Sequence, residues 1–78
     1  MELRILGSGC AKCEALESAT RAALAELGTD ATIEKVTDPA EIASWGVMAT
    51  PALVIDEDVV VSGRVPSTVE VAGWLATR

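Results

Sequence analysis

Cys10 and Cys13 are the only two cysteines in the chain, and the run Cys10-Ala11-Lys12-Cys13 sets them three positions apart. Thiolates are nucleophiles and soft-metal ligands, so a close pair of them can exchange disulfides or hold a metal ion. The 78 residues contain no histidine, which removes the commonest general base, proton shuttle and zinc ligand together. Chemistry therefore rests on thiols or carboxylates. If a helix begins at the pair, the first sulfur lies near unpaired backbone N–H groups and the positive end of the helix dipole, both of which favour a thiolate. Cys10 is then the attacking sulfur, tuned by the nearby positive charge of Lys12. Cys13, one turn on, resolves a mixed disulfide formed at Cys10.

Two other uses of the pair compete. As a structural staple it closes so short a loop that the chain-entropy gain is only roughly 2 kcal/mol. As a zinc site it lacks the further ligands a tetrahedral ion requires, which leaves two-coordinate copper(I), a soft-metal sensor, or a site shared between chains.

The elements that must position the sulfurs follow from pattern. Glu2 to Leu6 reads as a first strand, and the consecutive Ile5 and Leu6 imply cover on both faces. After Gly7-Ser8-Gly9, a helix carries Leu16, Ala19, Thr20, Ala23, Leu24 and Leu27 at three- and four-residue steps, and Gly28 ends it. Residues 31–36 form a second strand around Ile33. Asp38-Pro39-Ala40-Glu41 has the chemistry of a capped helix start, a capping box completed by Glu41, and opens a short helix with Ile42 and Trp45 that stops at Gly46. Pro51 sits at the start of the strand Ala52-Leu53-Val54-Ile55, and the turn Asp56-Glu57-Asp58 leads into residues 59–61 as a hairpin without the glycine a tight turn prefers. Ser67-Thr68-Val69-Glu70 is a second capping box, opening a terminal helix with Val71, Trp74 and Leu75 inward and a weak point at Gly73. Trp45 and Trp74 fall in inward stripes and read as packing residues, and Met48 as a gap-filling core methionine.

Half of the residues are apolar, enough for one domain with one core over residues 1–78. No uninterrupted apolar stretch approaches a membrane span, since the longest candidate, 47–55, is cut by Thr50 and Pro51. Met1-Glu2-Leu3-Arg4 lacks the pattern of a secretory leader, so a cytoplasmic location is the default expectation. Twelve acidic residues against six basic ones, a net charge of −6, argue against a nucleic-acid partner.

Three segments, Gly7-Ser8-Gly9-Cys10-Ala11-Lys12-Cys13, Gly46-Val47-Met48-Ala49-Thr50-Pro51-Ala52-Leu53-Val54-Ile55 and Val60-Val61-Ser62-Gly63-Arg64-Val65-Pro66, carry a likeness that extends over the chain. With the element order, the sequence resembles the thioredoxin superfamily, in particular its small, glutaredoxin-sized thioredoxin-like proteins of archaea and bacteria. The resemblance implies a thioredoxin-like α/β fold, β-α-β-α-β-β-α, with a four-stranded mixed sheet flanked by three helices. It implies a thiol–disulfide oxidoreductase with a redox-active disulfide between Cys10 and Cys13. Thr50–Pro51 would be a cis peptide packed against that disulfide, the Thr50 backbone would pair with substrate, and Gly63 would leave room for a partner. Gly9, Ala11, Lys12, Thr50, Pro51 and Gly63 are the expected substrate contacts. Partners would be protein disulfides and an electron donor, either a thioredoxin-reductase-like protein or a low-molecular-weight thiol, with no cofactor and no metal, and the chain would act as a monomer. The chain departs from thioredoxins in having Gly9 where they carry tryptophan, and Leu3, Ile5 and Leu6 on the strand where they carry a buried aspartate. Glu14, water or the substrate thiolate then remain as proton acceptors for Cys13.

Overall fold

The computed structural model describes residues 1–7 and 11–77. Four strands, β1 (Glu2–Leu6), β2 (Thr32–Val36), β3 (Ala52–Ile55) and β4 (Asp58–Ser62), alternate with three helices, α1 (Ala11–Leu27), α2 (Pro39–Ser44) and α3 (Thr68–Ala76), in the order β-α-β-α-β-β-α. The sheet runs β2-β1-β3-β4, with β1 parallel to β2 and antiparallel to β3, and β3 antiparallel to β4. The expected fold class is the one observed.

The two central strands are apolar on both faces because both faces are covered. Successive strand residues point to opposite sides, so Leu3 and Ile5 of β1 join Leu53 and Ile55 of β3 in a core closed by Leu16, Ala23 and Leu24 of α1 and Val71 and Leu75 of α3. On the other side Leu6, Ala52, Val54 and Val36 pack beneath Ile42, Trp45 and Val47. Burying a leucine or valine side chain contributes about 1.5–3 kcal/mol relative to exposure. A polar substitution at Leu53, which is fully buried, would therefore remove that contribution and strand a polar group. Arg4 shares the second face and lies over the Trp45 ring, 5.2 Å from its centroid. Both tryptophans pack against the cores as expected.

Helix ends follow local chemistry. α1 stops in a left-handed Gly28 with φ +63°, where Thr29 N–H donates to Leu24 O and Gly28 N–H to Ala25 O. Leu27, expected on the inward stripe, is instead 40% exposed on the last turn before this stop. Ser67 and Glu70 form the reciprocal capping box predicted for α3, each bond 3.1 Å long. At α2 the Asp38 carboxylate accepts from Ala40 N–H and Pro39 occupies the first turn; the cap closes on Ala40 rather than reciprocally with Glu41. The β3–β4 hairpin turns through Asp56 at φ 46° and Glu57 at φ 74°. Both lie in the left-handed region that a tight hairpin turn demands and that glycine usually fills.

Candidate active site

β1 delivers the chain to the site and α1 carries it away. Gly7, one residue past β1, is buried, and its N–H donates to Val36 O at 2.9 Å, which extends the β1–β2 pairing to the mouth of the site. Cys10 and Gly9 lie outside the described residues. Cys13 sits in the first turn of α1 at 6% exposure, while Ala11 and Lys12 are exposed beside it.

Gly7 is where the absence of a side chain decides the geometry. A β-carbon there would collide with Cys13 Sγ, and it would also touch Cys13 Cβ at 3.6 Å and Thr50 Cβ at 3.8 Å. The sulfur of Cys13 thus rests on the bare backbone of Gly7, and Thr50 stands beside the same point. Three separate parts of the chain meet here.

The loop 46–51 supplies the opposite wall. It leaves α2 through Gly46 at φ +76°, and it ends in a cis Thr50–Pro51 peptide, as the resemblance implied. Thr50 is exposed and Pro51 buried, so the loop presents threonine outward from a proline held in the core. The Pro51 carbonyl accepts from Gly63 N–H at 2.9 Å, and Gly63, at φ +82°, has room for a β-carbon only at 3.1 Å from Ala49 Cβ. Gly63 therefore braces the loop through its backbone and approaches it closely, which a residue with a side chain would hinder. Met48 is fully exposed on this loop and not in the core. The chain between Gly46 and Pro51 bulges past the second core, which Val47 but not Met48 enters.

A cleft of about 60 Å³ opens beside Cys13, lined by Ile5, Gly7, Glu14, Glu17, Lys35 and Thr37. Glu17, whose side chain is 17% exposed, bonds Lys35 Nζ at 2.7 Å and the Arg21 guanidinium at 2.9 Å. The Lys35 hydrogen bond, then that from Arg21, holds the Glu17 carboxyl below the usual carboxylate range. At the start of α3, Arg64 forms a bidentate pair with Glu70 at 3.1 and 2.7 Å. Arg64 and the Ser67 N–H together lower Glu70 to about 2, and the same pairing raises Arg64. Among the described residues, no group of three or more cysteine or acidic side chains is placed to hold a metal ion.

Of the residues singled out from sequence, the structure brings Cys13 and Thr50 together over Gly7, and places Gly63 against Pro51 behind them. Gly7 itself and the Glu17–Lys35 pair were not anticipated. The available signals were the position of Gly7 at a strand end before the cysteines and the four-residue step from Cys13 to Glu17.

A mixed sheet in this order, with a buried cysteine in the first turn of the helix after β1 and a cis-proline loop facing it, defines the thioredoxin fold class. The thioredoxin domain family matches residues 1–76, and the chain belongs to that family. It is 45% identical over 69 residues to a thioredoxin of Methanocaldococcus jannaschii, covering 88% of this chain and 79% of that protein. It is 41% identical over 71 residues to a thioredoxin of Methanothermobacter thermautotrophicus, covering 91% and 92% respectively. Membership supports a general thiol–disulfide oxidoreductase role. Among the described residues, no helix is long and apolar enough to cross a membrane.

Proposed function

We propose that the protein reduces or exchanges protein disulfides through Cys10 and Cys13, acting as a single domain over residues 1–78. The observation that carries this reading is the convergence of Cys13, Gly7 and the cis Thr50–Pro51 loop at one corner of the sheet. Cys10 directly precedes the first residue of α1, where unpaired N–H groups and the helix dipole favour a thiolate.

The Cys10 thiolate attacks one sulfur of a substrate disulfide, forming a mixed disulfide and expelling the other substrate sulfur as a thiolate. Cys13, deprotonated, then attacks the Cys10 sulfur, which closes the Cys10–Cys13 disulfide and releases the second substrate thiolate. Two electrons pass from the dithiol to the substrate, and the substrate thiolates take up protons. The substrate contacts in this reading are exposed Thr50 with Pro51 on the cis-proline loop, Gly63 that braces the loop, exposed Ala11 and Lys12, and, from its sequence position before Cys10, Gly9. A thioredoxin-reductase-like protein or a low-molecular-weight thiol returns the electrons. The protein works as a monomer in the cytoplasm, where such donors keep dithiols reduced.

Insulin reduction by wild type and by each cysteine variant, with dithiothreitol as donor, tests the assignment. Cys10→Ser should abolish turnover, and Cys13→Ser should stop at an insulin mixed disulfide on Cys10, visible as an added mass. Full turnover by Cys10→Ser, or a mixed disulfide trapped on Cys13, would reject these roles.

A further inference from the structure

Cys13 and Glu17 are four residues apart on α1, so their side chains leave the same helix face with β-carbons about 5–6 Å apart. Both line the cleft at the end of β1, whose volume of about 60 Å³ exceeds what one water requires and whose walls carry polar groups. Among the described residues, the charged groups at this cleft come from α1 (Glu14 and Glu17) and β2 (Lys35). β1 and the residue after it contribute only Ile5 and Gly7, and the loop 46–51 brings Thr50 near. Arg21 stands one further turn along α1 and reaches the cluster through Glu17.

The ion pairs fix where these charges sit. Glu17 takes Lys35 on one carboxylate oxygen and Arg21 on the other, bridging α1 to the edge strand β2. Lys35 and Ile5 are register partners, so the ammonium sits across from the strand residue that lines the same cleft. An anion near a thiol disfavours its thiolate and a cation favours it.

We propose that Glu17 sets the proton affinity of Cys13: as an anion on the same helix face it opposes the Cys13 thiolate, and by clamping Lys35 and Arg21 it holds their positive charge in place. The cleft is the path by which the Cys13 proton passes to water before the Cys13 electron pair attacks the Cys10 sulfur. Keeping Cys13 protonated in the resting dithiol leaves Cys10 as the first nucleophile and so enforces the order of the two steps. Glu17 and Lys35 are positioning residues in this scheme, acting through the field at Cys13. The inference rests on the resolving role proposed for Cys13.

The test is the pH profile of Cys13 alkylation by iodoacetamide in reduced Cys10→Ser protein, compared with the same protein carrying Glu17→Gln, Lys35→Met or both. Glu17→Gln should lower the midpoint by about 0.5–1 pH unit, an increase of about 3–10-fold in thiolate at a fixed pH below it. Lys35→Met should raise the midpoint by a similar amount, and the double variant should return close to the parent. Arg21→Met, acting from farther away, should raise it less. Midpoints that stay fixed, or that move the same way in Glu17→Gln and Lys35→Met as general loosening of the site would produce, overturn the proposal. The profile requires no turnover. An inactive wild type with opposite shifts would reject the functional reading alone, whereas an active wild type without them rejects this inference alone.

Discussion

Gly7→Ala is the perturbation whose cost the geometry specifies most closely. Gly7 lies outside the left-handed region, so alanine meets no backbone penalty there and should gain about 0.4–1 kcal/mol by restricting the unfolded chain. Against this stands the collision of its β-carbon with Cys13 Sγ; the other neighbours, Cys13 Cβ at 3.6 Å and Thr50 Cβ at 3.8 Å, are ordinary contacts. Overpacking of this kind costs about 1–3 kcal/mol, which, set against that gain, leaves a net loss centred on about 1.3 kcal/mol and at most about 2.6 kcal/mol. In a domain of this size that lowers Tm by about 5–15 °C. If the sulfur is the cause, removing it should remove the penalty. In the Cys13→Ala background, Gly7→Ala should be neutral or slightly stabilising, so that urea unfolding of the four proteins yields a coupling of about 1–3 kcal/mol. An equal loss in both backgrounds would refute the idea that Gly7 exists to seat Cys13.

Other consequences can be checked in the same preparations. Glu57 sits at φ 74° in the β3–β4 turn, so Glu57→Gly should stabilise the protein by about 1 kcal/mol, read as a higher urea midpoint at unchanged slope. Glu70 is lowered from 4.5 to about 2 by Arg64 and Ser67. A depressed folded-state carboxyl stabilises above its unfolded pKa and loses that contribution as pH falls through the folded value. The part of stability due to Glu70 should therefore be intact above about pH 5 and decline toward pH 2, and Glu70→Gln should flatten the urea midpoint across that window. Ser67→Ala, which breaks the capping box, should cost about 1 kcal/mol, measured by thermal unfolding at neutral pH.

Much of the fold was legible because its signals are local. The consecutive Ile5 and Leu6 announced a strand covered on both faces, Gly28 marked the end of α1, and Ser67 with Glu70 spelled out a cap that forms as written. What escaped reading depends on residues distant in sequence. Gly7 is an unremarkable turn glycine until α1 folds back and lays the Cys13 sulfur on it. Glu17 is one acidic residue among twelve until β2 brings Lys35 against it. Met48 has the composition of a core residue, yet the loop that carries Thr50 and Pro51 leaves it in solvent. Nor did the turn sequence Asp56-Glu57 disclose that two residues with side chains adopt glycine-like dihedrals.

Everything proposed for the site depends on Cys10 and Cys13 acting as one reversible redox couple. Equilibrating the wild type in glutathione buffers of graded ratio, then quenching with acid and counting alkylated thiols by mass, measures it directly. The expected result is a single two-electron transition in which both cysteines become blocked or free together, absent from Cys10→Ser and Cys13→Ser. Independent one-thiol transitions, or two cysteines that remain alkylatable across the whole range, would contradict it.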